Sequence, residues 1–113
     1  MMGKGYLTKV LSPKREKVLK EIVEKLKPYQ AEKIFLFGSY ARNESDDLSD
    51  IDLVIIKKTE EDFFERIRTV LRLLDLKKGI DVFVYTPLEF QNMQDQGNAL
   101  IQTVLEEGIL LYG

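Results

Sequence analysis

The chain has 113 residues, 44% of them hydrophobic and 32% charged, with a formal net charge of −2. That length suits one compact domain, so residues 1–113 are read as a single unit, and the near balance of charge excludes a bulk basic field for holding nucleic acid. There is no Cys and no His, which excludes disulfides, thiolate chemistry, ordinary zinc sites and histidine general bases.

Any metal must therefore be held by oxygen, which favours Mg²⁺ or Mn²⁺. No apolar run approaches a membrane span and the N-terminus lacks a signal-peptide core, so a cytoplasmic protein is expected. Met1 to Leu11 shows no clear period and reads as a loose arm or short helix. Ser12 and Pro13 read as an N-cap and first-turn proline. Val18, Leu19, Ile22, Val23 and Leu26 recur at helical spacing, which predicts a helix to Lys27 that stops at Pro28. Lys33–Phe37 is predicted as a short central strand. Gly38-Ser39 ends it, and Tyr40 to Asn43 reads as the first turn of a short helix. An acidic loop carrying Glu44, Asp46 and Asp47 follows, and Ile51–Ile56 is a second, buried strand.

Thr59 is expected to cap the next helix, with Glu60, Glu61 and Asp62 in its first turn. Phe63, Ile67, Val70, Leu71 and Leu74 form its apolar stripe, and Gly79 its terminator. Ile80–Tyr85 is a third strand with Asp81 near its start. Thr86-Pro87-Leu88-Glu89 is a capping box. That helix breaks near Gly97-Asn98, and a further one buries Leu100, Ile101, Val104 and Leu105 before Gly108. Ile109 to Tyr112 has room for a last short strand. The class is α/β (α+β): a small mixed β-sheet with flanking helices.

The chemistry concentrates between two of these strands. Five carboxylates fall from Glu44 to Asp52, opposed locally by Arg42. Residues i and i+2 of a strand share a face about 6.5 to 7 Å apart, so Asp50 and Asp52 project together. If the strand bearing Asp81 lies beside theirs, a third acid joins. Such acids suit divalent ions that assist in-line displacement at phosphorus. Gly38 lets backbone approach a phosphate, the turn that follows offers N–H donors, and Ser39 and Arg42 add a hydroxyl and a guanidinium. Each element alone is weak: an Asp-x-Asp is common, a Gly-Ser is usually a turn, and Arg42 or Asp81 alone suits a solvated surface. Their combination is more specific.

Gly38-Ser39, ten residues, then Asp50-Ile51-Asp52 resembles the Gly-Ser-x10-Asp-x-Asp signature of the DNA polymerase beta superfamily of nucleotidyltransferases. Ala41-Arg42 and Ser49 to Leu53 resemble its small stand-alone branch, the minimal nucleotidyltransferases (MNT). Ile80-Asp81-Val82 falls where the family has its third acid, and Gly97 to Ile101 and Glu107 to Tyr112 extend the likeness. Asn43 departs from it, since glycine is common there. The resemblance implies a palm-like sheet, two Mg²⁺ ions and ATP or another nucleoside triphosphate as donor. It implies that Gly38, Ser39 and Arg42 contact the triphosphate, that Asp50 and Asp52 hold metal, and that Asp81 completes the site. It further implies an antitoxin that transfers AMP to a tyrosine hydroxyl of a partner HEPN-domain toxin.

The chain is short for a catalytic palm with its own acceptor-binding domain, so a partner chain or a second copy of itself is expected to supply one. Two other classes stay open. One is a binding module that silences its partner by docking; the other is a catalytic subunit acting on a small-molecule hydroxyl. Direct nucleic-acid binding is not expected.

Overall fold

Ser12 opens the first helix as its position dictates. Its hydroxyl accepts from the Arg15 N–H at 3.2 Å, and Pro13 takes the first helical position. The computed structural model describes residues 12–42, 50–76 and 79–113. The expected N-terminal arm, Asn43 and the acidic loop with Glu44, Asp46 and Asp47 lie outside these residues, as does the side chain of Arg42.

In order, the elements are α1 (Pro13–Leu26), a 3₁₀ turn (Lys27–Tyr29), β1 (Lys33–Phe37), α2 (Gly38–Arg42) and β2 (Ile51–Ile56). Then come α3 (Phe63–Leu74), β3 (Ile80–Tyr85), α4 (Pro87–Asp95), α5 (Ala99–Glu107) and β4 (Ile109–Tyr112). They build a mixed four-stranded sheet in the order β3-β2-β1-β4. β1 is antiparallel to both β2 and β4, whereas β2 and β3 run parallel. A parallel pair needs a crossover, and α3 supplies it.

Alternation along the strands divides the core in two. Ile34, Leu36, Ile51, Leu53, Ile55, Val82 and Val84 pack with α1 and α3, through Leu19, Ile22, Leu26, Val70 and Leu74. Val54 and Ile56, with Phe35, Phe37, Phe83 and Tyr85, pack with Phe90 of α4 and Leu100 and Val104 of α5. The Phe35 and Phe90 rings stack with centroids 6.2 Å apart. Asp52 and Asp81 belong by alternation to this second face, beyond the end of its apolar packing.

Several local expectations need correction. The N-cap of α3 is Asp62, whose carboxylate accepts from the Glu65 N–H at 2.8 Å. Thr59 accepts instead from the Glu61 N–H, a local turn that competes with capping. α3 ends in a left-handed Asp75, whose N–H donates to the Leu71 carbonyl, so Gly79 is not its terminator. α1 ends at Leu26 and tightens into the 3₁₀ turn, which accommodates Pro28. Leu71 and Leu105 are 41% and 45% exposed, not buried. Each stands at the rim of its stripe, where helical periodicity alone gives no width.

Candidate active site

Asp52 is the second residue of β2. Its register partners are Phe37 on one side and Asp81 on the other. Directly opposed residues of neighbouring strands share a face, so the parallel pairing of β2 with β3 puts two carboxylates side by side. Asp50 precedes β2, and its carboxylate lies over Gly79, where a Cβ would overlap it. The Ile51 N–H donates to the Gly79 carbonyl at 2.9 Å, which extends the ladder to that point. Asp50 and Asp81 are exposed and Asp52 is half-buried, so helix packing leaves the acids open above.

The electrostatics follow from this crowding. The Asp52 carboxyl is raised above the usual aspartate range, first by burial, then by the negative charge of Asp81. A hydrogen bond that protonated Asp52 donates to Asp81, and the charge of Asp50, raise it further.

Gly38 ends β1 beside this group with φ +78, a left-handed backbone that favours glycine. A Cβ there would overlap the Asp52 carboxylate. Gly38 is therefore needed twice, for its backbone and for its missing side chain. Ser39 follows half-buried, and Arg42 closes the helix. The structure thus brings Gly38, Asp50, Asp52 and Asp81 together, with Ser39 next in the chain.

Two contributors were not anticipated. Arg15 is 2% exposed, donates to the Tyr40 carbonyl at 3.0 Å and lies 4.6 Å from the Tyr40 ring centroid. It fixes α2, and with it the Gly38-Ser39 turn, against α1. The signal was present: Arg15 falls on the stripe of Leu19, Ile22 and Leu26. Gly79 is the other, since its missing Cβ makes room for Asp50.

Oxygen-only donors suit a hard divalent cation, and Asp52 and Asp81 stand side by side where such a cation would relieve the repulsion that raises the Asp52 carboxyl. The residues present fit that group. Among the described residues, no three acidic side chains stand ready to hold one ion between them. A small apolar cavity lined by Val23, Leu26, Gln30, Ala31, Ile34 and Tyr112 contains none of these acids.

Residues 19–113 match the profile of the family described as Polymerase beta, Nucleotidyltransferase. The chain belongs to this family. Two proteins of Methanocaldococcus jannaschii, each bearing the name “Putative protein adenylyltransferase”, are relatives of this nucleotidyltransferase. One is 35% identical over 86% of this chain and 97% of its own length. The other is 29% identical over 90% of this chain and 97% of its own. Among solved structures, a “putative nucleotidyltransferase from Sulfolobus solfataricus” aligns with a TM-score of 0.57 at 26% identity, over 85% of this chain and 80% of that one. A structure described as a toxin-antitoxin with AMP-PNP shares the fold, with a TM-score of 0.58 at 23% identity over 84% of this chain and 73% of that one. The small mixed sheet with flanking helices is thus a nucleotidyltransferase fold, and the chain is an enzyme of that class. Among the described residues, no helix is long and apolar enough to cross a membrane.

Proposed function

We propose that this nucleotidyltransferase transfers AMP from ATP to a hydroxyl on a partner protein, a tyrosine of a HEPN-type toxin, and acts as its antitoxin in the cytoplasm. The observation that carries the transferase site is the register of Asp52 between Phe37 and Asp81, with Gly38 beside it. The names of the M. jannaschii relatives support adenylyl transfer to protein. A toxin-antitoxin structure bound to AMP-PNP, on the same fold, supports both the toxin partner and the ATP donor.

Gly38 gives the triphosphate close access to backbone, Ser39 adds a hydroxyl donor and Arg42 a guanidinium. Asp50 and Asp52, with Asp81, would hold Mg²⁺ or Mn²⁺, two ions in the full complex. The metal supplies Lewis-acid stabilisation of phosphate charge when bound. The acceptor oxygen attacks the α-phosphorus, the bond to the bridging oxygen breaks, and pyrophosphate leaves with that electron pair. Asp81, the exposed acid of the pair, would take the hydroxyl proton or help hold the first metal.

The test is incubation with labelled ATP, Mg²⁺ and the candidate toxin. Label on a toxin tyrosine is expected, lost with Asp50→Asn and Asp52→Asn. A toxin that stays unlabelled yet inhibited, equally by parent and double variant, would replace catalysis with docking alone.

A further inference from the structure

A row of rings leads up to the acids. Alternation along β3 puts Asp81, Phe83 and Tyr85 on the face that carries Asp52. The Phe83 and Tyr85 rings are nearly parallel, with 6° between their planes and 6.5 Å between centroids. That spacing is close to the rise of two strand residues, about 6.6 Å. The next place in the row belongs to Asp81, which is exposed and has no ring of its own. Phe83 packs against the second core yet stays half-buried, so it is not sealed by that packing. A half-exposed aromatic ring therefore stands one side-chain step from the acids, on their own face of the sheet.

In-line displacement decides which reactant meets it. The attacking and departing oxygens lie on opposite sides of the α-phosphorus. Gly38 and Ser39, placed to hold the departing phosphates, follow Phe37 on the β1 side of Asp52. Asp81 and Phe83 lie on its β3 side. Departure is thus toward β1 and the acceptor comes in over β3, while adenine, carried by the ribose, lies off that axis. We propose that Phe83 is a specificity-determining residue for the acceptor: it stacks on the ring of an incoming phenol, which stands above Asp81 as the next ring of the row. The phenol hydroxyl then points toward Asp52 and the α-phosphorus. Offset parallel rings attract at centroid separations of about 4.5 to 7 Å, beyond what burial of their area supplies. Serine and threonine bring a hydroxyl without a ring and gain nothing from Phe83. This reading rests on AMP transfer to tyrosine for its product, but the ring contact can be measured with no transfer taking place.

The probe is N-acetyl-tyrosinamide, titrated into the full chain with Mg²⁺ and α,β-methylene ATP, which cannot release pyrophosphate. NMR of phenylalanine-labelled protein follows binding. The Phe83 ring signals are expected to shift, and N-acetyl-serinamide at the same concentration to leave them in place. Phe83→Leu should weaken tyrosinamide binding about two- to tenfold, the worth of one aromatic pair, and leave the affinity for the ATP analogue unchanged. Phe83→Tyr, which keeps the ring, should bind as the parent does. With ATP itself, Phe83→Leu should narrow the preference for tyrosyl over seryl peptides by the same factor. Ring binding without AMP transfer from ATP keeps the Phe83 contact and removes the transfer reaction. Unmoved Phe83 signals in the parent, or equal tyrosinamide affinity in parent and Phe83→Leu, overturn the proposal. So does weaker binding of the ATP analogue to Phe83→Leu, which assigns the stack to adenine.

Discussion

Asp52 is held at a place where its own charge is disfavoured. Its carboxyl is raised by burial and by the neighbouring acids, so the folded protein binds its proton more tightly than the unfolded chain does. The stability from this group is present below the ordinary aspartate range and is lost as pH rises through the folded value. Asp52→Asn should therefore melt at the same or a higher temperature than the parent at neutral pH without metal. Its advantage should shrink toward acid pH, as thermal melts in a pH series would show. The same substitution should cost at least about a hundredfold in labelled AMP transfer, on the scale of removing one preorganised electrostatic partner. At Gly38 the direction reverses. Gly38→Ala places a Cβ against the Asp52 carboxylate on a left-handed backbone, so it should lower stability by about 1 to 2 kcal/mol in urea melts and reduce transfer as well.

Arg66 of α3 ties three elements together. It donates to Val84 of β3 and to both carboxylate oxygens of Glu89 in α4. Glu89 also closes the capping box by accepting from the Thr86 N–H. The guanidinium of Arg66, then the Thr86 donors, hold the Glu89 carboxyl below its usual range against the opposing effect of burial. Its contribution is thus present above the ordinary glutamate range and lost as pH falls through the folded value. Glu89→Ala should cost roughly 1 to 3 kcal/mol in urea at neutral pH, less than a fully buried pair because Glu89 is half-exposed, and markedly less in acid. The capping box was legible in the sequence because Thr86 and Glu89 are local to it. The partner of Glu89 was not, because Arg66 reaches it only through the tertiary fold. The same division runs through the site. Asp50 and Asp52 could be paired from strand period alone, and their meeting with Asp81 required that β2 and β3 be neighbours, which the sequence left as a condition. The cap at Asp62 in place of Thr59 shows the limit of local rules: both residues offer an oxygen to a nearby N–H, and the chain path decides between them.

The whole molecule gathers acids at one end of a sheet, so a divalent cation that enters there stabilises the folded state by mass action. Mn²⁺ or Mg²⁺ at about ten to a hundred times its dissociation constant should add about 1.4 to 2.7 kcal/mol to unfolding. The shift in thermal midpoint should vanish in Asp52→Asn, Asp81→Asn, and an unchanged parent midpoint across a metal titration would remove these acids as ligands. The parallel β2–β3 pair has a wider consequence. The two acids come from segments separated by a helix, and strand side chains switch sides with every step along the chain. A one-residue slip of β3 would send Asp81 into the oily interior under α3 and bring an isoleucine or valine up beside Asp52. Catalytic competence and correct threading are consequently the same event, and a misassembled copy of this enzyme would be silent rather than promiscuous.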